Sequence, residues 1–228
     1  MTRHPARPPA NVDQKPRSWR LWIDMETSGL EPEHDYVLEA AAVLIAPEAR
    51  IVERLWMLNT QIVGVAGKAK PGKVAELMPP AVADMHTRNG LIDDLCHTRN
   101  LGDTIAGGTW PWTIYLVNDE AGIDNALCQL LADEVPERDK VTIAGSGVAH
   151  FDVPWMRDQG WQLPERCTYW QHDVGAARRW LAGCGITVDA PASAGPAKTH
   201  RAVDDVLAHM EEDTALQCSV LVLKAGAA

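Results

Sequence analysis

The chain has 228 residues, of which 46% are hydrophobic and 23% charged, with a net charge of −10 at pH 7. Enough apolar surface for a core excludes a wholly disordered chain, and the acidity argues against a protein that coats long duplex nucleic acid, where Lys and Arg must neutralise many phosphates. It does not exclude a protein whose carboxylates hold metal ions, since bound cations invert the local field.

Residues 36–46 form the most apolar stretch, which falls well short of the roughly 20 residues of a spanning helix, and Glu39 interrupts it. No membrane association is therefore expected. Nine Trp stand against one Phe, so Trp must serve as the large core residue. Five Cys lie far apart with no C-x-x-C pair. That spacing excludes a zinc ribbon, and the odd count fits a reducing, cytoplasmic setting. Residues 1–17 hold basic residues and prolines without an apolar run, and read as a flexible arm rather than a secretory signal.

Along the chain, Leu21, Ile23 and Met25 alternate with Arg20, Trp22, Asp24 and Glu26, the period of a strand. Thr27-Ser28-Gly29 ends it. A mostly apolar strand over 36–46 is closed by Pro47, and Glu48-Ala49-Arg50 leads tightly into a third strand over 51–58. Three strands on short links predict an antiparallel meander. Segment 59–80 is punctuated by Gly and Pro and reads as a loop or insertion with one short helix. Helices are expected over 83–97, 123–131, 152–159, 174–181 and 201–223. Between them come a Gly/Trp/Pro-rich segment, 101–112, leading into strand-like 113–117, and a short strand over 141–144. Another short strand begins or ends at Tyr169, and 183–198 is a Gly/Pro/Ala loop. This order predicts an α/β fold with a mixed sheet.

Asp24 and Glu26 are two apart on a strand, so both leave the same face, with α-carbons about 6.6 Å apart. Carboxylates held so close repel unless a cation joins them, and a pair of cations roughly 4 Å apart suits that reach. The same spacing also suits a charged surface face. Asp152, in His150-Phe151-Asp152-Val153-Pro154, follows a strand and a small-residue turn, and equally suits a helix N-cap. In Thr199-His200-Arg201-Ala202-Val203-Asp204-Asp205, a helical His200 shares a face with Asp204. A His200 placed on the loop before the helix converges instead with Asp205. Acidic residues near a helix N-terminus are also favoured by its dipole alone.

Taken in order, Asp-x-Glu on the first strand, an Asp near the middle and His-x-x-x-x-Asp before the last helix resemble the DEDDh 3′–5′ exonuclease superfamily. The resemblance is closest to oligoribonuclease, through Trp22-Ile23-Asp24-Met25-Glu26-Thr27-Ser28-Gly29-Leu30-Glu31-Pro32 and His86-Thr87-Arg88-Asn89-Gly90-Leu91. Tyr169, Asp173, Arg178-Arg179-Trp180 and residues 199–205 fit the same alignment. It runs from Trp22 to about Leu216 and fails over 59–80 and 101–117. Those segments read as insertions in a single exonuclease domain, 18–228.

The resemblance implies a ribonuclease-H-like fold, a mixed five-stranded sheet with flanking helices, and two Mg²⁺ or Mn²⁺ ions per active site. Carried over by position, Asp24, Glu26 and Asp205 hold one metal, Asp24 and Asp152 serve the second, and His200 is the general base. Leu30 matches an apolar wedge between the last two bases, and His86 a residue flanking the terminal base. An exposed loop histidine is the plainer alternative for His86. Tyr169 persists from a group that caps a 5′ phosphate. At the other positions of that cap stand Val148, Trp170, Gly175 and Ala177, which offer neither charge nor hydroxyl. An aromatic base contact preceding His86 is replaced by Ala81 or a neighbour.

The implied activity is metal-dependent 3′–5′ release of nucleoside monophosphates from short single-stranded RNA oligonucleotides by a homodimer. Alternatives are a proofreading-type DNA exonuclease, a hydrolase of signalling oligonucleotides, and a non-catalytic nucleic-acid-binding or scaffold protein. Five filled catalytic positions speak against the last. Trp110 and Trp112 suit base stacking, a subunit contact or an apolar plug on the sheet edge. The apolar run 220–223 suits either a dimer contact or the core.

Overall fold

The computed structural model describes residues 17–65, 70–97, 112–186 and 199–226. The expected meander forms, with β1 (Ser18–Thr27), β2 (Val37–Ile45) and β3 (Ile51–Asn59) paired antiparallel. β4 (Thr113–Val117) lies parallel to β3, β5 (Lys140–Gly145) parallel to β1, and β6 (His172–Asp173) parallel to β5. The sheet order is β4-β3-β2-β1-β5-β6, six strands rather than the five expected. The difference lies at the edge, where β6 is two residues long and too short to carry a periodic signal. Tyr169 falls in the bend before it.

Among the described residues the helices are α1 (Gln61–Val65), α2 (Pro71–Ala75), α3 (Pro80–Arg88), α4 (Leu91–Cys96), α5 (Glu120–Glu134), α6 (Asp152–Asp158), α7 (Leu163–Arg166), α8 (Val174–Gly183) and α9 (Ala202–Gly226). Segment 59–80 thus holds two short helices. Pro71 starts the second of them, where its missing N–H costs nothing. The single helix expected over 83–97 is divided at Asn89 and Gly90. Gly90 takes φ 81°, a left-handed turn that suits glycine, and the Asn89 side chain accepts the N–H of Leu91 at 3.0 Å. Residues 1–16 of the arm, and 101–111 with Trp110, lie outside the described residues. Among those described, no helix is long and apolar enough to cross a membrane.

Both faces of the sheet are covered. Leu21, Ile23 and Met25 pack with Ile123 and Leu127 of α5 and with Val153, Trp155 and Met156 of α6. On the opposite face Trp22 packs with Ala41, Val43, Val174, Leu181, Ala202 and Val206 under α8 and α9. Further along that face, Leu38, Trp56 and Leu58 meet Ile62, Val74, Leu91, Ile92 and Leu95. This is why β2 is an apolar run rather than an alternation. Trp22 and Trp155 are among the largest fully buried side chains, and each contributes about 4–6 kcal/mol at roughly 25 cal/mol per Å². β5 closes on β1 at Gly145, where a Cβ would stand 2.7 Å from the carbonyl oxygen of Ile23. The β1 alternation sends Trp22, Asp24 and Glu26 toward α9, and this fixes where the site forms.

Candidate active site

Glu26 of β1, His200 and Asp205 of α9 each place a ligand atom within 4.8 Å of the other two. Among the described residues no other three His, Cys, Asp or Glu side chains come so close. Glu26 and Asp205 are buried, at 7% and 6% exposure, so the Asp24-Glu26 pair is no charged surface face. Asp24 and Asp152 stand outside this set. Asp24 leaves the same face of β1 and meets His209 Nδ1, one turn past Asp205 on α9, at 3.8 Å. Asp152 is buried and opens α6. The N-cap of that helix is Phe151 and no side chain caps it, so capping does not account for Asp152.

Local folding delivers these groups. A register shift follows Glu26 in the β1–β2 pairing, a bulge that re-aims the strand beside the site. The next turn is tied by Ser28 Oγ donating to Asp35 at 3.0 Å, and by Asp35 accepting the Glu31 N–H at 2.9 Å. Gly29 leaves room for that carboxylate, since a Cβ there would stand 2.2 Å from Asp35 Oδ2 and displace it from these bonds. His200 sits on the loop before α9, converging with Asp205, while Asp204 points to solvent. Its φ is 50°, a left-handed conformation that costs a non-glycine residue roughly 1–2 kcal/mol. Asp205 lies in the first turn of α9, where the helix dipole favours a carboxylate.

The donor set fits a divalent cation: two buried carboxylates and an imidazole converge, with Asp24 alongside. An open cavity of about 730 Å³ adjoins His200, lined by Ala81, Met85, Arg88, Asn89, Arg201 and Asp204 among others.

No family model matches the sequence. Oligoribonuclease of Streptomyces griseus is 29% identical over 190 residues, covering 82% of this chain and 78% of that protein. Oligoribonuclease of Corynebacterium diphtheriae is 26% identical over 170 residues, covering 72% and 68%. In fold, the zinc-bound complex of E. coli exonuclease I with single-stranded DNA aligns with a TM-score of 0.50 at 17% identity. That match takes in 89% of this chain but only 41% of the exonuclease I chain. The chain resembles the DEDDh 3′–5′ exonucleases, oligoribonuclease among them.

Against the oligoribonuclease pattern, the substrate-side positions divide. Leu30 is 78% exposed and Tyr169 81% exposed, each free to meet a ligand. Tyr169 packs edge-on against Trp170 with ring centroids 4.6 Å apart. His86 is fully buried, so it is neither an exposed loop residue nor open to a terminal base. Its Nε2 lies 3.0 Å from the carbonyl of Thr27, and its Nδ1 3.5 Å from the Asn89 amide. His86 therefore ties α3 to the turn after Glu26. Burial pushes its pKa down, the Thr27 carbonyl opposes this, and the charges of His200 and Arg201 add to the lowering. Of the cap positions, Val148 is in the core and Gly175 is buried, so neither faces a ligand. Trp112 packs partly buried against the core under α4 and α9, as a plug does.

Four residues beside the site escaped the sequence reading: His209, Glu39, Arg201 and Asn89. For His209 the signal was present, because Asp205 and His209 are four apart on one helix face. Glu39 read only as an interruption in an apolar strand.

Proposed function

We propose that the chain is a divalent-metal-dependent 3′–5′ exonuclease that releases nucleoside monophosphates from short single-stranded RNA. The observation that carries this reading is the convergence of buried Glu26 and Asp205 with His200 within 4.8 Å. In it Asp24, Glu26 and Asp205 hold one cation, and Asp24 and Asp152 a second, Mg²⁺ or Mn²⁺ in both places. When bound, the cations lower the pKa of water and offset charge developing on the phosphate.

His200 takes the proton of the attacking water at a ring nitrogen, and the neighbouring Asp205 carboxylate favours the imidazolium that results. Leu30 projects from the turn after Glu26 to separate the last two bases, and Tyr169 lends an aromatic face to the strand. His86 supports the turn from beneath. Two copies joined through the exposed Val220, Leu221 and Val222 of α9 complete the reading, and sedimentation of the whole chain tests that part.

A DNA substrate is the second reading, favoured by the fold likeness to exonuclease I, which was crystallised with single-stranded DNA. One assay separates the possibilities: Mn²⁺-dependent release of mononucleotides from end-labelled RNA and DNA oligomers. Faster release from RNA supports the first reading and faster release from DNA the second. No release from either would leave a non-catalytic binding protein.

A further inference from the structure

We propose that Glu39, Arg201 and Asn89 form a bracket that sets the position of His200 and acts on the reaction through that residue. The inference rests on the reading of His200 as general base. His200 holds a left-handed backbone at φ 50°, and three successive groups of the chain around it are tied down. The Asn89 side-chain amide donates to the carbonyl oxygen of His200 itself. The Arg201 guanidinium donates to both Glu39 carboxylate oxygens at 3.0–3.2 Å, to Asp94 Oδ2 at 2.8 Å and to the Asn89 carbonyl at 3.3 Å. The N–H of Ala202 donates to Glu39 Oε2 at 2.9 Å.

The carbonyl of residue 200, the side chain of 201 and the N–H of 202 are thus each anchored, which removes the backbone freedom that would let the imidazole drift. The anchors are themselves rigid. Glu39 is fully buried in β2, accepts the Trp56 Nε1–H at 2.6 Å, and stands opposite Glu26 in the β1–β2 register. Arg201 lies over the Trp56 ring, 5.7 Å from its centroid. Asn89 accepts from Leu91 and closes α3 against α4. A buried ion pair is weak evidence for stability, because apolar packing often does as well, whereas a forked Arg–carboxylate pair fixes geometry. This one fixes the loop carrying His200 to the strand pair carrying Glu26. These are positioning residues.

The test is a double-mutant cycle at saturating Mn²⁺ and saturating oligonucleotide. Glu39→Gln keeps the shape of the side chain but removes the charge and one of its two acceptor oxygens, so only one of the Trp56 and Ala202 N–H groups keeps its partner there. It should lower kcat about 10–100-fold, as misplacement of a reacting group does, with KM and the Mn²⁺ Kd changed less than about twofold. In the His200→Ala background the same substitution should change kcat less than about twofold, because the group it positions is gone. Asp94→Asn, at a partly exposed partner of Arg201, carries the same cycle with a loss of roughly 3–10-fold, should Glu39→Gln fail to fold. An equal loss in both backgrounds, or no loss in the wild-type background, overturns the bracket while the catalytic reading stands. Full activity in His200→Ala alone overturns the catalytic reading and the bracket with it.

Discussion

Glu26 on β1 and Glu39 on β2 stand directly opposite one another across the antiparallel pair, yet the two carboxylates meet different partners. Glu39 is matched by the Arg201 guanidinium at 3.0 Å. Glu26 instead gathers with Asp205 and His200, a cluster in which carboxylate repulsion is relieved best by a cation.

A divalent ion should therefore stabilise the fold as well as support turnover. Saturating Mn²⁺ at about 100 times its Kd adds about 2.7 kcal/mol by mass action, read as a rise in Tm. Asp205→Asn and Asp24→Asn should each abolish turnover, stay folded and shrink that rise, and chelation by EDTA should reverse it in the wild type. Near-wild-type activity of Asp24→Asn at saturating Mg²⁺ would sink the metal assignment.

His86 makes stability depend on pH. Its folded pKa lies below 6.5 because burial disfavours the imidazolium. As pH falls below 6.5 the unfolded chain takes up a proton that the folded chain refuses. Stability is then fully present above 6.5 and declines on acidification, by at most about 1.4 kcal/mol per pH unit from this residue. His86→Gln should remove that part of the slope. Urea midpoints of wild type and variant at neutral and mildly acidic pH provide the check.

Asp173 acts in the same sense at lower pH, through hydrogen bonds and charge rather than through burial. Burial raises its pKa, but the N–H groups of Ala176, Gly147 and Ala149 and the Arg179 charge outweigh it and hold the carboxyl below 3.8. The same contacts cap α8 at 2.8 Å and pin the loop that precedes Asp152 at 3.2 and 3.3 Å. Asp173→Asn should cost about 2–3 kcal/mol at neutral pH. The contribution is present above 3.8 and lost as pH falls through the lower folded value, so the difference from wild type should narrow in acid. Denaturation curves of both proteins across that range decide it.

Much of this site could be read from residue order, because each member sits where local chemistry is strong. β1 announces itself by alternation, and the loop before α9 by His200 and Asp205. What stayed hidden depends on pairing between distant segments. That Glu39 faces Glu26 follows from strand register, which no local pattern states. The burial of His86 depends on α3 folding back under the turn after β1. The last short strand is placed at Tyr169 in the sequence rather than at His172 and Asp173, because these two residues gain strand character only from their pairing with Ala144 and Gly145.

Substrate length should be permissive. A phosphate cap that favours dinucleotides needs charged or hydroxyl donors, each contributing roughly 1.5–3 kcal/mol. The corresponding positions here are Val148 and Gly175, both buried, with Ala177 and the half-exposed Trp170. Initial rates on two-, five- and ten-nucleotide single strands are expected to agree within about tenfold, a gap of about 1.4 kcal/mol. A steep preference for two nucleotides would mean that other residues rebuild the cap.

The left-handed turn at His200 has a practical consequence. Glycine adopts φ 50° without penalty, and the bonds that tie down 200–202 use the main chain and Arg201, not the imidazole. His200→Gly should accordingly melt no lower than the wild type while losing its proton acceptor. Such an inert twin, loaded with metal and a short oligonucleotide, would hold an uncut strand long enough to be seen in place.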